Sequence, residues 1–235
     1  HLLAFGQQAV DVLAGQAHLR GGVLGARYTD PALDRAAHAV QQVVELTPDD
    51  TERLLAACAA HEVSLDEAML VACAAAFTDT ADDTGAIALT RESHGRPADD
   101  DSRRVGWFTV EETLAIPGAL ATGWTPAAGK PELGERDRTV RAQLRLNHLG
   151  RFDVLQFGSG PWSPVPIADF TAEFGVAVDP ALPLRFTVDL TTAVVARDGR
   201  PVLVAQFDGN TAVLTPPELS AHIQRWHEVV VAYSA

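Results

Sequence analysis

Residues 64–77 read Ser-Leu-Asp-Glu-Ala-Met-Leu-Val-Ala-Cys-Ala-Ala-Ala-Phe. Ser64 followed by Glu67 is a capping box, so a helix starts at about Leu65 and runs to about Phe77. Behind its cap this helix is Ala-rich and apolar on most faces. A helix without a polar face has to be covered on nearly every side. Its apolar run, Ala68 to Phe77, is far too short to cross a bilayer. The cover therefore has to come from the rest of the chain, as a layer of other elements packed on this helix.

Those elements are readable around it. Val40 to Leu46 reads as a strand feeding a helix. Thr47-Pro48-Asp49-Asp50 is a helix start, with Thr as N-cap, Pro at the first helical position and acids in the first turn. That helix runs to about His61. Gly85 to Thr90 reads as a core strand, Val105 to Ile116 as another, and Pro131 to Leu146 as a charged helix. Leu184 to Ala196 and Pro201 to Phe207 are strands joined across Asp198-Gly199, a tight-turn dipeptide. Thr215-Pro216-Pro217-Glu218 opens a last helix reaching about Tyr233. Helices over a mixed sheet make an α/β sandwich the expected architecture.

The opening differs from the rest. His1 to Leu13 has the pattern of one amphipathic helix, and Ala14 to Pro31 is a Gly-bearing loop or linker. Residues 1–34 are therefore read as a linker or the remnant of a preceding region, and residues 35–235 as the folded unit. With 235 residues, 47% of them hydrophobic, the chain can build a core without metals or disulfides. Its net charge of −13 repels phosphate backbones and anionic bilayers, which argues against nucleic acid and membrane partners. Cys58 and Cys73 sit in apolar helical stretches and read as buried small hydrophobes. No Cys/His spacing suggests a metal site, and the chain suits a reducing cytoplasm.

The residues that could carry chemistry cluster where the Gly85 strand ends. Glu92 follows the apolar run, and His94, two residues on, points to the same side of an extended chain. Gly95 and Arg96 follow. A carboxylate at the edge of an apolar core suits proton transfer, because desolvation favours its protonated form. The alternative is an Arg/Glu/His network that merely braces a loop. Asp99 to Asp101 lack the alternate spacing of a cation loop, and Gly158-Ser159-Gly160 reads as a loop.

Three segments in order carry a resemblance. Arg91-Glu92-Ser93-His94-Gly95-Arg96-Pro97, then Val105-Gly106-Trp107-Phe108-Thr109, then Asn147-His148-Leu149-Gly150 resemble the C-terminal motifs of epimerization domains of nonribosomal peptide synthetases. The family forms are EGHGR, VGWFT and FNYLG. The resemblance covers roughly residues 35 to 235. It implies a chloramphenicol-acetyltransferase-like two-layer sandwich, the C-terminal subdomain of a two-part domain with its active site in a tunnel between the halves. It implies inversion at Cα of an aminoacyl or peptidyl thioester, carried on the phosphopantetheine arm of a peptidyl carrier protein. Glu92 matches the family's catalytic Glu; His94, Arg96, Asn147 and His148 match positions that shape the tunnel.

No cofactor bound by this chain itself is implied. The family's HHxxxDG motif belongs to the N-terminal half and is absent from these 235 residues. The expected partners are therefore that half and the carrier protein, and the chain alone is expected to be inactive. Ser93 stands where the family has Gly, His148 where it has Tyr and Leu146 where it has Phe. A non-catalytic half-domain acting as a structural or docking module is the alternative. A condensation-type acyltransferase half is a third reading, which the second and third motifs disfavour.

Overall fold

In a computed structural model of the chain, the described residues are 30–81, 85–94, 108–134, 142–154 and 178–234. They form one mixed six-stranded sheet with helices on one face. The strands are β1 (Ala39–Glu45), β2 (Ala86–His94), β3 (Thr109–Pro117), β4 (Leu144–Arg151), β5 (Val188–Arg197) and β6 (Arg200–Asn210). The helices are α1 (Pro48–Ala60), α2 (Leu65–Ala76), α3 (Gly118–Gly123) and α4 (Pro216–Ala232). Strand order is β1-β6-β5-β4-β2-β3. Strands β2, β4 and β5 run parallel, and the pairings β1–β6, β5–β6 and β2–β3 are antiparallel. Parallel neighbours need long crossovers, and such sheets are usually buried.

The apolar helix is at the centre. In α2 every residue from Ala68 to Ala74 is buried, as are Ala76 and the following Phe77. One side of α2 packs on β2 and β4, another on α4, with α1 and α3 alongside. Ser64 and Glu67 form the expected reciprocal cap: the Glu67 N–H donates to Ser64 Oγ at 3.1 Å and the Ser64 N–H donates to Glu67 Oε2 at 2.8 Å. Thr47 caps α1 by accepting from the Asp50 N–H, also at 3.1 Å. Glu218 closes the start of α4, accepting from the Thr215 N–H at 2.8 Å.

Aromatic rings lock the helix layer to the sheet. Trp226 of α4 is fully buried and meets Phe207 of β6 edge to face, centroids 5.5 Å apart. Phe77 stacks on His222 at 4.2 Å, and His222 Nδ1 donates to the Ala76 carbonyl at 2.8 Å. The β5–β6 hairpin turns at Asp198 and Gly199, with φ of 52° and 77°, the left-handed pair that a two-residue turn requires. Both cysteines are free and buried, and burial pushes the Cys58 thiol up to about 11 and that of Cys73 to about 12. Among the described residues no helix is long and apolar enough to cross a membrane.

Several expectations need correction. Residues 144–146 belong to strand β4, not to the end of a charged helix over 131–146. The segment Leu-Arg-Leu-Asn alternates between faces, and that two-residue period outweighs the charged residues before it. Strand β2 continues through Arg91 to His94, so Glu92 lies within the strand and not in a loop after it. Strand β3 begins at Thr109, and β5 at Val188, four residues after Leu184. The short helix α3 was not anticipated. The amphipathic opening, Gly95, Arg96, the Asp99–Asp101 and Gly158–Gly160 segments and Trp107 lie outside the described residues.

Truncating Trp226 should open the largest void in the layer between α4 and the sheet. Trp226→Ala is expected to lower unfolding free energy by about 3–5 kcal/mol in urea titrations. A loss under about 1 kcal/mol would mean that the indole is not in the core.

Candidate functional site

The strands β2 and β4 bring two of the sequence motifs together. Their parallel register sets Glu92 opposite Asn147, although the two lie 55 positions apart in the chain. Alternation then sorts the side chains. Leu89 and Leu146 are buried with the helices, whereas Glu92, Arg145 and Asn147 belong to the opposite face. Glu92, Asn147 and Arg145, with Thr109 and Glu111 of β3 and Arg185, line a cavity of about 510 Å³ on that face.

The polar groups there form one charged network. The Arg145 guanidinium donates from Nε to Asp189 Oδ1 at 2.8 Å and from Nη2 to Asp189 Oδ2. Its Nη1 donates to Glu92 Oε2 at 2.9 Å and lies 3.8 Å from Glu111 Oε1. Arg185 holds Glu111 with two further bonds, 3.0 Å and 2.6 Å long. The Phe186 ring lies beneath both guanidinium groups, 5.2 Å from Arg145 and 5.4 Å from Arg185. Burial works against the charge on Arg145, but the Asp189 hydrogen bond and the charges of Asp189, Glu92 and Glu111 outweigh it and hold the guanidinium above its usual range.

The neighbouring Arg91 goes the other way. It pairs with Glu112 at 2.8 Å and with Asp66, in the first turn of α2, at 3.3 Å. Burial raises the Asp66 carboxyl above its usual range in spite of that partner. Arg91 and Glu92 are adjacent in sequence and serve opposite faces of the sheet. Arg91 ties the apolar helix to β2, and Glu92 is left to the cavity.

The remaining sequence candidates fall out as follows. His148 follows Asn147 but shares a face with Thr192 of β5, and its Nδ1 lies 2.9 Å from the Thr192 hydroxyl. It is not among the residues that line the cavity. His94 closes β2, paired with Thr109 in the ladder, and its side chain lies outside the described residues, as does all of Arg96. Sequence reasoning missed Arg145, Asp189, Glu111 and Arg185. The available signal was the Arg between Leu144 and Leu146, since a charged residue inside a strand alternation marks the face turned away from the core. Among the described residues no group of three or more His, Cys, Asp or Glu side chains could hold a metal ion.

Comparison by structure decides the fold. The epimerization domain from the third module of tyrocidine synthetase B superposes with a TM-score of 0.66 over 97% of this chain, at 16% identity. The chain has the fold of the condensation-domain superfamily. A condensation domain mediating chain release from the enacyloxin polyketide synthase matches with a TM-score of 0.59, 14% identity and 94% of this chain covered. The cyclization-docking bidomain of EpoB from Sorangium cellulosum matches at 0.54, with 14% identity and 97% coverage. This chain spans 55%, 46% and 48% of those three structures respectively, about half of each. No family model matches the sequence, and no curated protein does.

The half-buried His148 gives a pH test. Burial depresses His148 from 6.5 to about 4, so the folded chain holds it neutral while the unfolded chain takes up a proton below about 6.5. The unfolded state then binds more protons than the folded state between those values, and stability falls as pH drops from about 6.5 to 4. Urea midpoints measured across this range should fall less steeply in His148→Gln than in the wild type. Equal slopes would remove His148 as a source of the pH dependence.

Proposed function

We propose that the chain is the C-terminal subdomain of an epimerization domain, which inverts Cα of an aminoacyl or peptidyl thioester during nonribosomal peptide synthesis. The observation that carries this reading is the Glu92–Asn147 register, which sets the first and third of the three resembling motifs side by side on one cavity. The fold it shares with the tyrocidine epimerization domain supports it. The enacyloxin and EpoB domains that share this fold come from a polyketide synthase and a nonribosomal peptide synthetase. A peptidyl carrier protein is thus the proposed partner, and its phosphopantetheine thioester the substrate. The same context favours a cytoplasmic protein.

The chemistry is a proton relay across one carbon. A thioester acidifies its α-hydrogen, because the electron pair released from the C–H bond moves onto the carbonyl oxygen as an enolate. In this proposal the Glu92 carboxylate takes the proton from one face of Cα. A histidine of the N-terminal half returns a proton to the opposite face, the enolate pair re-forms the C–H bond, and the centre is inverted. The reverse direction exchanges the two roles. A carboxylate paired to a guanidinium, as Glu92 is to Arg145, enters as the base of such a pair. No metal or redox group enters these steps.

With the N-terminal half in place, Glu92→Gln keeps the shape of the side chain and removes its proton exchange. Washout of the α-hydrogen from a loaded carrier should then fall by a factor on the order of 10² or more. An unchanged rate would reduce Glu92 to a brace in the ion-pair network. The 235-residue chain alone offers one face of proton chemistry, and one group tends to return the proton to the face it came from. Chiral analysis of the amino acid released after incubation with this chain should show no D-isomer above a no-enzyme control. D-isomer above that control would place a second base within these residues.

A further inference from the structure

We infer that Arg145 is the positioning residue for Glu92, and that Asp189 acts through it by fixing the plane of its guanidinium. The inference rests on the proposed proton-transfer role of Glu92 and goes one layer deeper into the same site.

The geometry leaves Arg145 little freedom. Position 145 pairs with position 189 in the β4–β5 ladder, so the two side chains emerge side by side on the cavity face. Asp189 takes up the Nε and Nη2 edge of the guanidinium with both of its oxygens. Such a fork fixes the plane of the group as well as its location. With that edge held and Phe186 against its face, Nη1 has one direction left, and Glu92 lies along it at 2.9 Å. Glu111, the other carboxylate within reach, is engaged by two bonds from Arg185. Arg185 thereby leaves Arg145 to Glu92.

A second, smaller cavity of about 190 Å³ touches Arg145, Arg185, Phe186 and Asp189, so the network separates two hollows and is not packed solid on either side. The Glu92 carboxylate depends on this pair for its place, since its own strand ends two residues later. A lysine at 145 would carry the charge but could not grip two carboxylates in one plane.

The test is α-hydrogen washout from a loaded carrier by the chain assembled with its N-terminal half, in a double-mutant cycle. Arg145→Ala should lower the washout rate by roughly tenfold to a hundredfold, the effect of a displaced catalytic group. Arg145→Lys should restore little of it, whereas added guanidinium ion should restore part of the Arg145→Ala rate. In a Glu92→Gln background the Arg145 substitution should have no further effect, because the group it positions is gone. A merely structural arginine would give additive losses and no guanidinium rescue, and that result would overturn the inference.

Should Arg145→Ala not fold, Asp189→Asn serves instead. It is expected to lower the rate in the wild type and not in Glu92→Gln, and additivity there would overturn the inference equally. An unaltered rate in Glu92→Gln removes the proposed role of Glu92 and the inference with it. A collapse in Glu92→Gln beside full activity in Arg145→Ala keeps that role and overturns only the inference.

Discussion

The central strand β4 has to satisfy two environments with alternate residues, and the molecule is arranged around that demand. Leu144 and Leu146 are fully buried against the helix layer, whose middle is the apolar helix α2. Arg145 between them cannot enter that layer, because an unpaired guanidinium there would cost several kcal/mol. It leaves by the other face, where its neighbours on both sides are parallel strands that present a carboxylate each. The same alternation that closes the core thus builds the charged floor of the cavity. A one-residue slip of β4 would place Arg145 among the helices and Leu146 in the cavity, so core and site stand or fall in one register.

The helix layer depends on the same logic from its own side. An apolar α2 needs cover on several faces, and it receives it from β2, β4, α1, α3 and α4. Its one polar end is tied to the sheet by Asp66 and Arg91. Arg91 and Glu92 therefore divide the work of β2, the first anchoring the helix and the second facing the cavity. Ion pairs of half-buried groups add modestly to stability, and here their larger effect is to fix directions.

How much of this could be read in the sequence follows from the range of each signal. The caps at Thr47, Ser64 and Thr215, the Asp198-Gly199 turn and the run from Ala68 to Phe77 are local, and the structure places them as read. Glu92 and Asn147 were singled out from motifs, but nothing local says that they are ladder partners. The β4 segment was misread because charged residues before it suggested a helix, while the decisive Leu-Arg-Leu-Asn alternation is only four residues long. Missing that strand hid Arg145, and with it Asp189, Glu111 and Arg185. Those four come from three strands and a connecting segment, and only the sheet order brings them together.

Glu92 and Arg145 are held together by direct contact across β2 and β4. The most direct measurement is their coupling free energy in the 235-residue chain, from urea unfolding of the wild type, Glu92→Gln, Arg145→Gln and the double variant. The two losses are expected to fail to add by about 1 kcal/mol, the size typical of half-buried groups in contact. Losses that add to within experimental error would contradict that contact, since the carboxylate and the guanidinium would then not be held together.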